Sequence, residues 1–127
     1  MARFLVVLSP SGAMEAGAME AGAMLEALGP VLQGLNAEIE HRTPAHLSAM
    51  IRGGGESQRM QLFADVQSKA DGRVLEVVVL SREAMGSTAP HTRQTFERLL
   101  ELIQKHVHTM ALSFRSDRDG PLPTATS

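Results

Sequence analysis

Six apolar residues near the end of the chain, Phe96, Leu100, Ile103, Val107, Met110 and Phe114, recur in steps of four, three, four, three and four. That is the spacing of a heptad seam along one face of a helix. The helix is expected to start near Ser87 or Thr88, with Pro90 in its first turn, and the seam carries it to Phe114, about 37 Å at 1.5 Å per residue. A chain of 127 residues folds to a globule about 36 Å across. Such a helix therefore spans the domain, overhangs it or breaks near His106. Met110, Leu112 and Phe114 also alternate with polar or small neighbours, the two-residue period of a final strand; the uninterrupted seam favours the helix.

Upstream, Arg3 to Leu8 is almost wholly apolar and rich in β-branched residues, and Ser9-Pro10-Ser11-Gly12 closes it, as suits a strand buried on both faces. Met24, Leu28, Val31 and Leu35 follow a helical spacing. Gly29-Pro30 interrupts it, because proline removes an amide and crowds the carbonyl one turn back, so a kink or a break into two segments is expected. Ala37 to Arg42 alternates weakly around Ile39, a short strand at most. Thr43-Pro44 reads as an N-cap followed by proline at the first helical position, giving a short helix from Ala45 to Ile51 with Gly53 to end it. Met60 to Gln67 alternates with a period of two, Val74 to Leu80 is more uniformly apolar, and Lys69-Ala70-Asp71-Gly72 between them supplies turn chemistry, which predicts an antiparallel hairpin over residues 59–80.

The resulting order is β-α-(β)-α-β-β-α, an α/β or α+β fold with helices packed on a small mixed sheet. With a strand at 37–42 this order resembles thioredoxin-like topology, whose last two strands also form an antiparallel hairpin before the final helix. The chain has no cysteine and no proline just before the hairpin, so the resemblance is one of element order and implies no redox activity. The strand–helix ending is also similar to that of type III secretion chaperones and ribosome-hibernation factors, although the former carry more strand before the hairpin and the latter a stronger basic surface. Residues 1–115 are expected to form one domain, and the polar, proline-containing stretch 116–127 a disordered tail.

Composition narrows the function by exclusion. A net charge of −2 gives no broad pull toward phosphate backbones, so nucleic acid is not the default partner. Without Trp or Tyr, base-stacking platforms fall to four Phe residues. The apolar run Phe4 to Leu8 is too short for a signal sequence or a membrane span, and the lack of cysteine suits a reducing compartment; a cytoplasmic protein is expected. Gly12-Ala-Met-Glu-Ala repeats with a period of five, which rotates Met14, Met19 and Met24 away from a shared helix face and makes a poor binding stripe.

Candidate chemistry is sparse. His106 and His108 point to opposite sides of a helix, and His41 and His46 straddle a predicted helix start, so no metal site or cofactor is expected. Gly53-Gly54-Gly55 lacks the Lys-Ser/Thr of a phosphate loop. Ser9, Ser11 and Gly12 follow the first strand, where donors could meet an anion; turn and cap chemistry explains them as well. Arg93, Arg98, Lys105 and Arg115 interleave with Glu97 and Glu101, an ion-paired solvent face. The sequence thus leans away from an enzyme and toward a small non-catalytic protein-binding or assembly module. It would associate as a homo-oligomer or with a protein partner through its C-terminal helix, with Val107, Met110 and Phe114 as contacts. The alternatives are a small-ligand or enzymatic domain using Ser9, Ser11 and Gly12, and, more weakly, an RNA- or ribosome-associated factor.

Overall fold

Alternation of buried and open positions along the middle of the chain produces a four-strand meander, and the two ends of the chain complete it. The computed structural model describes residues 2–10, 21–52, 59–69, 72–82, 90–108 and 110–116. Its elements are β1 (Ala2–Pro10), α1 (Ala21–Glu26), α2 (Gly29–Gly34), β2 (Ala37–Thr43), β3 (His46–Arg52), β4 (Arg59–Lys69), β5 (Gly72–Ser81), α3 (Pro90–His106) and β6 (Met110–Ser116). The strands form one six-stranded sheet in the order β2-β3-β4-β5-β1-β6. Every neighbouring pair is antiparallel. The class is therefore α+β, and the expected mixed sheet is corrected to an antiparallel one whose strand-rich order is not the thioredoxin-like one.

Two further expectations are corrected. Ala45 to Ile51 is strand, not helix: Thr43 and His46 face each other across a tight hairpin turn, with Pro44 supplying the fixed φ that suits its first central position. Leu47, Ala49 and Ile51 are buried while Ser48 and Met50 are half-buried; that period of two overrode the helix-start signal. The long seam also divides. α3 ends at His106, Val107 still donates its amide to the Ile103 carbonyl at 2.8 Å, and after His108 the chain re-enters the sheet as β6, the final-strand alternative. Within α3, Leu99 and Leu102 are as buried as Phe96, Leu100 and Ile103. A stripe that broad is the core-facing side of a helix in a globule, wider than a coiled-coil seam.

The break expected at Gly29-Pro30 is present, between α1 and α2. α2 ends at Gly34 with Leu35 as its C-cap, and Asn36 follows with a positive φ of 55°, the left-handed conformation that asparagine tolerates after a helix. Its amide bonds the Gln33 carbonyl at 3.1 Å, and the chain reverses into β2, which decides in favour of the strand that the weak alternation of 37–42 left open. The 59–80 hairpin is β4 and β5, paired from Met60↔Ser81 to Lys69↔Gly72.

The core lies between one sheet face and the helices. Phe4, Val6 and Leu8 of β1, Leu75, Val77 and Val79 of β5 and their neighbours on β3 and β4 meet Met24, Leu25, Leu28, Val31, Phe96 and Leu99 from the helix layer. α2 crosses α3 where Gly34 approaches Leu102. A Cβ at Gly34 would stand 2.6 Å and 2.9 Å from the two Leu102 methyls, whereas one at Gly29 would meet nothing within 4 Å beyond its chain neighbours and its own helix backbone. Gly34→Ala is accordingly expected to cost about 1–3 kcal/mol through overpacking, and Gly29→Ala to cost less, since its Cβ would meet only the ring of Pro30, which disfavours a helical residue before it. Urea denaturation of the two variants checks the difference.

Candidate functional site

The two apolar contacts nearest the end of the helix are used inside the molecule. Val107 is 5% exposed and Met110 4% exposed, and both belong to the core cluster. Phe114 differs: it sits on β6 opposite Val7, half-buried, on the sheet face turned away from the helices. Ser9 also lies on that face and gives its hydroxyl to Ser113 at 3.0 Å, while Ser113 donates to the Val7 carbonyl at 3.2 Å. Ser9 thus serves as a cross-strand tie between β1 and β6. Ser11, Gly12 and most of the five-residue repeat lie outside the described residues, as does the stretch 117–127; β6 itself reaches Ser116, one residue into the expected tail.

Register assigns the helix-free face row by row. His41, Ser48, Phe63, Val78 and Leu5 lie opposite one another across five strands. Thr43, His46, Asp65, Glu76, Val7 and Phe114 form the next row. Its apolar centre runs over β4, β5, β1 and β6, and Leu5 within it is 2% exposed although it lies outside the core cluster. Its polar side is at β2 and β3.

On that polar side a cluster appears that spacing in the sequence gave no reason to join. His46 Nδ1 contacts Asp65 Oδ1 at 2.5 Å, the two being direct cross-strand partners. The His46 ring stacks on Phe63 with centroids 6.3 Å apart, and His41 approaches it at 6.2 Å. A carboxylate on Nδ1 fixes the tautomer and turns Nε2 outward, as in many metal and acid–base sites. Those sites need further donors, and among the described residues no group of three or more His, Asp or Glu side chains is placed to hold a metal ion. A period-two reading of residues 46–52 would have put His46 on a strand face, but its meeting with Asp65 comes from the β3–β4 register alone.

The two edges of the sheet differ in chemistry. β2 carries Glu38, Glu40, His41 and Arg42, and every residue after Ala37 is exposed, the charged rim that discourages strand addition. β6 reads Met-Ala-Leu-Ser-Phe-Arg-Ser, with one charge and no proline. That charge is engaged by α3: the exposed Arg115 donates to Glu97 at 3.0 Å and lies 5.4 Å over the Phe96 ring. Leu112 is 43% exposed on the same strand. A register shift where β6 passes Val7 and Leu8 leaves Ser113 as the extra residue of a bulge.

Arg98 meets Glu101 at 3.6 Å in solvent, and Arg93 lies 5.5 Å over the Phe4 ring. Among the described residues no helix is long and apolar enough to cross a membrane. The sequence matches no protein-family model and no curated protein.

Proposed function

We propose that this chain is a small, non-catalytic, cytoplasmic protein-binding or assembly module that accepts an extended protein strand on the β6 edge of its sheet. The observation that supports this reading is the asymmetry of the two edges. β2 is lined with charge, whereas β6 ends the sheet with its single Arg held against α3 and Leu112 open to solvent. A sheet edge presents a row of outward N–H and C=O groups, and main-chain pairing to a second strand satisfies them. The association surface moves accordingly from the end of the helix to the strand after it, because Val107 and Met110 are already spent on the core.

Leu112→Glu, which puts charge on this edge at an exposed position, is expected to leave folding intact and to abolish partner capture, while Ile39→Glu on β2 leaves capture unchanged. Native mass spectrometry of complexes recovered with each variant reads the result. A complex that survives Leu112→Glu, or a reproducible small-molecule adduct on an otherwise bare monomer, would overturn the reading.

A further inference from the structure

We infer that the strand added to β6 is β6 of a second copy of this chain, paired antiparallel about a two-fold axis so that two six-stranded sheets become one continuous sheet. The inference rests on the edge-pairing reading above and names its occupant.

Symmetry supplies the first argument. Antiparallel pairing of a strand with its own copy uses one surface patch twice and closes at a dimer, whereas β6 joined to the opposite edge of the next copy would propagate as a fibre. The charges on β2 oppose the fibre: Glu38, Glu40 and Arg42 are exposed along that edge, in the position of residues that block edge pairing.

Charge placement supplies the second. β6 spans residues 110–116, so an axis near its middle sets Arg115 opposite the neighbourhood of Ala111 of the other copy and keeps the two Arg115 side chains apart. Like charges directly opposite would destabilise the pair. Arg115 also remains free to keep its bond to Glu97 at 3.0 Å, because that partner lies on the helix side and not along the edge.

The third argument is apolar area. Ala111 and Leu112 are exposed, and a strand laid alongside covers them without moving any core residue. Seven residues at about 3.4 Å each give a contact line of about 24 Å, and a pair of this length joined through few side chains belongs at the small end of specific interfaces. A concentration-dependent dimer is therefore expected.

The chain contains no cysteine, so each introduced cysteine is unique. Single substitutions Ala111→Cys, Leu112→Cys, Ser113→Cys and Phe114→Cys are oxidised mildly and run without reductant, with Ile39→Cys as the β2 control. Sedimentation equilibrium of the unmodified chain is measured alongside. The expected result is a mass rising with concentration toward twice 13.6 kDa, a covalent dimer from the one or two β6 positions at the axis, where Cα atoms approach to about 5.5 Å, and none from Ile39→Cys. Leu112→Glu should raise the dimer dissociation constant by about tenfold or more.

A monomer at every concentration overturns the second-copy occupant and leaves edge pairing with another protein to the capture experiment. A dimer that no β6 cysteine traps and that survives Leu112→Glu overturns both. Because the mass measurement uses the unmodified chain, a cysteine variant that fails to fold does not decide the outcome.

Discussion

Met110→Asp is expected to unfold this protein outright, with loss of the cooperative thermal transition, and not to release a folded monomer. Met110 opens β6 opposite Pro10, is 4% exposed and packs in the cluster that contains Leu8, Leu99 and Ile103. A carboxylate there gives up its hydration with no cation to pair with among the described core residues. The cost is several kcal/mol even when the group relaxes by taking up a proton. A domain of this size holds about 5–15 kcal/mol in reserve, and the lost packing of the methionine adds about 2–5 kcal/mol. Phe114→Asp, four residues along the same strand but on the helix-free face, should stay folded and lose about 1–2 kcal/mol. Circular dichroism with urea titration of both variants makes the comparison. A folded Met110→Asp protein with near-native stability would mean that β6 does not dock as described.

That pair of variants also shows what spacing alone can and cannot say. Residues 96–107 and residues 110–114 share one unbroken rhythm in the sequence, but the first part buries its apolar side as a helix and the second is a strand that turns Met110 into the core, leaves Leu112 exposed and sets Phe114 on the other face. The steps of three and four needed for a helix fit Val107, Met110 and Phe114, and the steps of two needed for a strand fit Met110, Leu112 and Phe114. What decides is the extent of the core, since α3 of 17 residues reaches only about 26 Å before the sheet has no more face to offer it. Leu99 and Leu102, both buried, fall outside the heptad seam and widen the stripe beyond it, so reading the seam alone missed them.

The β4–β5 hairpin and the break at Gly29-Pro30 were readable because turn chemistry or proline marked them locally, and β1 because of its run of apolar, β-branched residues, although it continues through Ser9 and Pro10. Residues 43–52 were not, because Thr-Pro serves a helix start and a hairpin turn equally well. The alternation of Leu47, Ala49 and Ile51 carries weight only once β2 and β4 lie on either side. The His41–His46–Asp65 cluster follows from the same pairing. His46 and Asp65 stand 19 residues apart and meet only through strand register, which no local pattern encodes.

Phe96→Ala carries the next largest effect, and it bears on the docking edge as well as on stability. The ring is fully buried and meets Phe4 of β1 edge-on, with centroids 5.3 Å apart and planes at 64°. Removing it is expected to cost about 3–5 kcal/mol, of which about 0.5–1.5 kcal/mol belongs to the aromatic pair itself. Arg115 rests over the outer side of the same ring, so α3 holds β6 through both a salt bridge and this stacked contact. Truncating Arg115 alone should cost only about 1 kcal/mol, the worth of a partly exposed ion pair and cation–π contact. The two variants therefore separate core packing from edge anchoring. Phe96→Ala should lower global stability in urea and speed amide exchange throughout the sheet. Arg115→Ala should leave the global transition almost unmoved and speed exchange in β6 alone, because the strand keeps its pairing with β1 but loses its tie to the helix layer. Uniform protection of β6 in Arg115→Ala would show that β1 pairing suffices to hold the edge in place.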